Sequence, residues 1–304
     1  MNLLVGALTM GLLLSLLALG VWVTFRVLRT LDLTADGAFG VGAALSAALL
    51  VRGVQPVGAT AAAMVAGAMA GAATALAQSR LRVDPLLAGI LTSTALYSVM
   101  LYVMGGGDLS VSAAPTLFAG AESLWATVGG PRTVAGVRGS NWSALLLVLV
   151  VVLLAAAALR RFFGTGAGLA VRAAGDGPAM ARSQGIAVGG AVGLGLVVAN
   201  GLAGLSGSLF AQFQGFANVQ MSVGMFVTGL ACVVLGEVFG RRGVGRQIAG
   251  AIAGTVVFRL LVSAALRMGL DPNALKLATA ALVLAVLALP HVARRAAGAR
   301  VGHA

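Results

Sequence analysis

The sequence predicts an all-α, polytopic membrane protein, and three observations carry that expectation. Hydrophobic residues make up 60% of the 304-residue chain and charged residues only 9%, against about 25% charged in a soluble domain. Apolar runs recur at roughly the ~20 residues a helix needs to cross a bilayer. The basic residues collect between alternate runs, as cytoplasmic loops do. Mean hydropathy is +1.02, so the solvent for most of this surface is lipid. The 44 glycines fit the same picture, since small residues let membrane helices approach closely.

Nine segments are expected, near 3–25, 38–51, 57–78, 86–104, 142–160, 188–213, 222–239, 247–266 and 273–289. The first lacks a basic leader and a small-x-small cleavage pattern, so it reads as a helix and not a signal peptide. The second is short and glycine-dotted, which suggests a broken or re-entrant helix; if it does not cross, eight spans remain. Between the fourth and fifth runs lies the mixed-polarity stretch 105–141, with room for a short amphipathic helix around Leu117–Val128. No internal repeat is evident, which argues against an inverted-repeat transporter.

With the N-terminus outside, the inner loops and tail hold Arg26, Arg29, Arg80, Arg82, Arg160, Arg161, Arg172, Arg182, Arg241, Arg242, Arg246, Arg294, Arg295 and Arg300. The outer loops hold Arg52, Arg132, Arg138 and Arg267. Fourteen against four favours this orientation, with 161–187 as an inner loop and 291–304 as a cytoplasmic tail.

The net charge of +12 does not point to nucleic acid, because the basic groups are scattered between apolar runs with no aromatic platform beside them. Cys232 is the lone cysteine, and His291 and His303 both lie in the tail; no metal cluster is expected. There is no HExxH, no GxSxG with a matching histidine and no GxxxxGK[ST], so neither an intramembrane hydrolase nor a chain that hydrolyses ATP itself is expected. No cofactor is expected on this chain.

Charges at membrane depth are costly and therefore functional candidates. Glu237 and Arg259 are the two serious cases, as path or gate residues, although their depths make them poor partners for each other. Lys276 lies near a helix end, where snorkelling suffices. No acid sits at a clear midplane position, which weakens a proton- or sodium-coupled carrier. Two further segments carry chemistry. In residues 25–47, Asp32, Thr34 and Asp36 form a polar turn before Gly37, Gly40 and Gly42, suited either to a path or gate or to a plain helix cap. In residues 168–186, GLAVRAAGDGPAMARSQGI, Gly175-Asp176-Gly177-Pro178 signals a turn and then a helix start. One or two short helices on the inner surface are expected there.

That second segment, followed by Gly201-Leu202-Ala203-Gly204-Leu205-Ser206-Gly207, resembles the membrane subunits of ABC importers of the branched-chain amino acid, ribose and nucleoside type. Gly168, Arg172, Ala173, Gly175, Pro178, Ala181, Gly185 and Ile186 match their pattern, while Gly177 replaces the usual Asn. Asp32 to Gly37, and the stretch holding Glu237, Arg241, Arg259, Leu270, Pro272, Lys276 and Leu277, are similar to a narrower subgroup of uncharacterised and tryptophan/tyrosine-type permeases.

The resemblance implies a type II ABC importer-like permease in the bacterial cytoplasmic membrane. Its partners would be an ABC ATP-binding subunit carrying ATP and Mg, an extracytoplasmic substrate-binding protein, a second permease copy and the lipid bilayer. The solute would be small and organic, an amino acid by subgroup. ATPase coupling would fall on Gly168, Arg172, Ala173, Gly175, Asp176, Pro178, Arg182 and Gly185. Gly201, Gly204 and Gly207, three apart on a helix, would serve close packing, since each glycine otherwise costs ~1 kcal/mol against Ala. The alternatives are a secondary transporter or channel working without an ATPase, and a non-transporting scaffold.

Overall fold

The computed structural model describes residues 2–267 apart from 128, 130, 132, 135, 136, 241 and 242, together with 281 and 284. Apart from 281 and 284, the expected ninth segment at 273–289, with Lys276, and the tail at 291–304 lie outside the described residues, as does Arg241.

The helices are α1 (Asn2–Trp22), α2 (Thr34–Val51), α3 (Pro56–Ser79), α4 (Pro85–Met104), α5 (Leu117–Thr127), α6 (Gly139–Phe162), α7 (Gly166–Asp176), α8 (Pro178–Ser183), α9 (Val188–Gln214), α10 (Met225–Gly236) and α11 (Val244–Arg267). A π-helical turn, Val23–Val27, extends α1, and a 3₁₀ turn, Val219–Ser222, precedes α10. Eight helices among the described residues are long and apolar enough to cross a membrane. The chain is an all-α, multi-pass membrane protein.

Helix starts follow local chemistry. Pro56 and Pro85 open α3 and α4 at positions where a missing N–H costs nothing. Asp84 caps α4 by accepting from Leu86 N–H at 3.0 Å. The second segment is not broken. It is a continuous helix of 18 residues, about 27 Å at 1.5 Å per residue. Its glycines are points of approach to neighbours: a Cβ at Gly37 would meet Ser93 Cα of α4 at 2.9 Å, and one at Gly42 would collide with the Gly204 carbonyl of α9.

The core gathers around α1, α2 and α9, whereas α4 and α6 are largely exposed. Trp22, Phe39 and Phe258 are the largest fully buried side chains. Opposite ends of α9 mark the two ends of the bundle. At one end α7 and α8 lie before Val188. At the other, Gln212 accepts from Leu117 N–H, which ties the start of α5 to α9. Two-residue strands β1 (Leu109–Ser110) and β4 (Phe216–Ala217) pair antiparallel at this α5 end. A second short pair, β2 (Thr133–Val134) with β3 (Val137–Arg138), follows α5.

Candidate functional site

Residues 163–187 fold as two short helices set against the ends of long ones. Thr165 caps α7, its hydroxyl accepting from Gly168 N–H at 3.3 Å and donating to the Phe162 carbonyl at 2.6 Å. The motif glycines then have distinct physical causes. A Cβ at Gly168 would collide with the Phe162 carbonyl, and one at Gly175 would collide with the Val27 carbonyl. These two contacts seat α7 under the ends of α6 and α1. Gly185 has φ +79°, the left-handed geometry that closes a helix C-terminus and that glycine adopts freely. Ile186 N–H then donates to the Ala181 carbonyl at 3.0 Å.

Pro178 opens α8 at its first position. Gly177 precedes it with an extended backbone, φ −161°, and supplies no side-chain cap. The position is roomy: a Cβ would meet only Met180 Cβ, at 3.7 Å. The chain makes this turn without the capping bond that an Asn would add. Ala173 lies one residue before the buried Ala174 on α7. On α8 the buried residue is Ala181, while Arg182 is exposed and Met180 is 71% exposed.

The end of α1 meets this unit through charge. Arg29 Nη2 donates to Asp176 Oδ1 at 2.7 Å, with both side chains mostly exposed. Arg29 holds φ +55°, a left-handed backbone that costs a non-glycine residue about 1–2 kcal/mol. Arg26 Nε lies 2.7 Å from Glu237 Oε1, just past α10. Glu237 therefore pairs with α1 and does not meet Arg259. Between these elements opens a polar cleft of ≈ 340 Å³, lined among others by Trp22, Arg26, Arg29, Arg172, Asp176 and Gln247. Arg259 is remote from it. Its Nε is buried on α11 without a hydrogen-bond partner among the described residues, and a Cβ at Gly11 of α1 would approach Arg259 Cβ to 3.4 Å.

Asp32, Thr34 and Asp36 form a separate, buried junction. Asp32 accepts from Thr34 N–H at 3.0 Å and from Asn200 Nδ2 at 2.7 Å. Thr34 and Thr74 share a hydroxyl–hydroxyl bond of 2.7 Å. Asp36 accepts from Gly224 N–H and Phe226 N–H, so a carboxylate from α2 caps α10 across the bundle. Burial pushes the Asp32 carboxyl above its ordinary range, partly offset by the bonds from Thr34 and Asn200. None of the three lines the cleft.

Sequence reasoning missed Asn200 and Thr74, whose only signal is a polar residue inside an apolar run. It also missed a second buried cluster near the α5 end. There Gln212 Nε2 donates to Thr60 Oγ1 at 2.8 Å and to Ser46 Oγ at 3.3 Å, and the Ser208 hydroxyl donates to Ser46 Oγ at 2.8 Å. Gly201, Gly204 and Gly207 occupy three different environments. Gly207 faces the Phe39 carbonyl of α2, too close for any Cβ, and a Cβ at Gly204 would sit 2.5 Å from the Ala63 carbonyl of α3. One at Gly201 would make an ordinary 3.5 Å contact with Ala68 Cβ.

Comparisons with known proteins agree with this architecture. Residues 3–288 match the family described as "Branched-chain amino acid transport system / permease component". The chain is similar to a "Tyrosine transport system permease protein" of Clostridioides difficile (strain R20291), 33% identical over 285 residues, covering 93% of this chain and 90% of the relative. It is also similar to "Uncharacterized protein RP368" of Rickettsia prowazekii (strain Madrid E), 29% identical over 282 residues, covering 91% and 94%. No solved structure matches the chain. A transport permease is a membrane component that works with others and is not itself an enzyme. Matched along nearly its whole length, the chain belongs to the family of branched-chain amino acid transport system permease components.

Proposed function

We propose that the chain is the transmembrane subunit of a bacterial ABC importer, carrying an amino acid inward across the cytoplasmic membrane. A separate ATPase subunit, which holds ATP and Mg, supplies the energy. The α7–α8 end faces the cytoplasm, with the N-terminus outside and the C-terminus inside. A second permease copy completes the path, and an extracytoplasmic binding protein delivers solute to the α5 end. The amino-acid assignment rests on the similarity to a permease named for tyrosine transport.

The observation that carries this reading is the seating of α7 and α8. Collisions forbidden at Gly168 and Gly175 fix α7 against α6 and α1. Meanwhile α8 presents Met180 and Arg182 outward. A short rigid unit with an exposed apolar tip suits the transfer of force from a docked protein. Displacement of α7 moves the end of α1 directly, through Val27 and through Arg29–Asp176, and α1 packs on α9, α10 and α11. Alternating access then follows as ATP binding in the partner favours one packing of these helices over the other.

The test is co-purification with an ABC ATPase subunit, and solute-stimulated ATP hydrolysis in liposomes. Met180→Asp and Arg172→Glu are expected to lower both. Assembly and stimulation unchanged in both variants would overturn the coupling assignment. Solute flux by this chain alone, without ATPase, would overturn the importer class.

A further inference from the structure

The cleft at the α7–α8 end carries more positive charge than its own partners neutralise. Arg26, Arg29 and Arg172 line it together with Asp176. Arg29 is paired to Asp176, and Arg26 to Glu237 in the adjoining recess. Arg172 is left with no ion pair among the described residues. Trp22, which lines both the cleft and the recess, is 2% exposed, and its indole N–H has no hydrogen-bond partner among the described residues. A buried donor without an acceptor costs ~1–3 kcal/mol. A cleft lined by three guanidinium groups and one carboxylate, with one guanidinium left without an ion pair, favours an anion.

The level of the cleft in the bilayer selects the kind of anion. Trp22, Phe25 and Val27 belong to the span Leu4–Val27, and Val244 begins the span Val244–Ala265. The cleft therefore opens where two spans end, at the depth of lipid headgroups. Indole rings concentrate at that depth, and basic pockets between spans take anionic headgroups there. An acidic side chain of a soluble partner would have to descend to the Trp22 level to reach the same donors. Phosphate oxygens of a lipid are already present.

We infer that this cleft is a binding site for the phosphate headgroup of an anionic phospholipid, with Arg172 as its principal charge partner. Bound there, the headgroup bridges the end of α1, α7 and the start of α11. The site does not depend on the identity of the ATPase or of the transported solute.

The experiment uses the full chain in phosphatidylcholine nanodiscs with and without phosphatidylglycerol, and reads retained lipid by native mass spectrometry. The wild type is expected to retain phosphatidylglycerol. Arg172→Gln is expected to lower that retention about fivefold, the loss of ~1 kcal/mol that one basic residue contributes. Arg80→Gln, an exposed arginine at the end of α3 outside the cleft, is the control and should retain it fully. Equal retention by wild type and Arg172→Gln overturns the proposal. So does displacement of the lipid by millimolar inorganic phosphate, which would make the cleft a general anion site. If Arg172→Gln leaves lipid retention intact but weakens ATPase binding in pure phosphatidylcholine, the cleft belongs to an acidic group of the partner and the lipid assignment is wrong.

Discussion

Two polar regions of this permease each hold an aspartate and differ in burial. At the α7–α8 end, Arg29–Asp176 is an ion pair open to water, and Arg26–Glu237 beside it is half-buried. A few residues along the chain, Asp32, Thr34, Thr74 and Asn200 are bonded together in a buried junction. Exposed ion pairs contribute about 0–1 kcal/mol and are easily exchanged. A buried hydrogen-bonded acid cannot be exchanged, because removing it strands its donors. The open region can be remade during a transport cycle, while the closed one holds α2, α3 and α9 as a single body. The proposed coupling surface is thus mounted on a stiff frame through weak, polar, reversible contacts.

Breaking the frame should have the largest effect. Gly207→Leu drives a branched side chain into the Phe39 carbonyl. The disruption should exceed the ~1–3 kcal/mol of ordinary overpacking, so little folded protein should survive size-exclusion chromatography. Asp32→Ala comes next, leaving the Asn200 amide and the Thr34 N–H without their acceptor at a cost of about 1–3 kcal/mol, read as a lowered Tm in detergent.

The same junction should respond to pH. Burial raises the Asp32 carboxyl, so the folded chain holds that proton more tightly than the unfolded one. The resulting stability is complete below the unfolded carboxylate range, near about pH 3.9. It declines as pH rises through the folded value. Asp32→Asn should flatten this part of the Tm profile; an unchanged slope would show that another group titrates.

The open region should yield smaller numbers. A double-mutant cycle on Arg29→Ala and Asp176→Ala should give a coupling energy of about 0.2–1 kcal/mol that fades in high salt. A larger, salt-insensitive value would erase the contrast between the two regions. Smallest is Gly177→Asn. The backbone there is extended and the space is open, so the new cap on α8 should add only a few tenths of a kcal/mol. Its Tm should rise slightly; a fall would mean that the turn needs glycine for a reason other than its backbone angle.

Much of this was legible in the residues. Apolar runs placed the spans to within a few positions because lipid tolerates no other pattern. The polar break at 168–186, with its Pro and Gly, announced one or two short helices, of which the chain forms two, because those residues act locally through φ and a missing N–H. Gly185 belongs to that local class. Gly168 and Gly175 do not, because their cause is a carbonyl on another helix or beyond a turn. Gly37, Gly40 and Gly42 suggested a break in the second segment, yet they sit in a continuous helix. A glycine that admits a neighbouring backbone and one that ends a helix look identical in sequence.

By itself the sequence determined the class of solvent, the rough bounds of the eight described spans, and the local turn chemistry of the α7–α8 unit. All of these follow from composition, period and single-residue backbone preference. Only the tertiary structure decided that Glu237 answers Arg26 and that Asp32 meets Asn200 across 168 positions. It alone brought Arg26, Arg29, Arg172 and Asp176 to one cleft. Such pairings depend on which helix faces which, and no local preference along the chain encodes that choice.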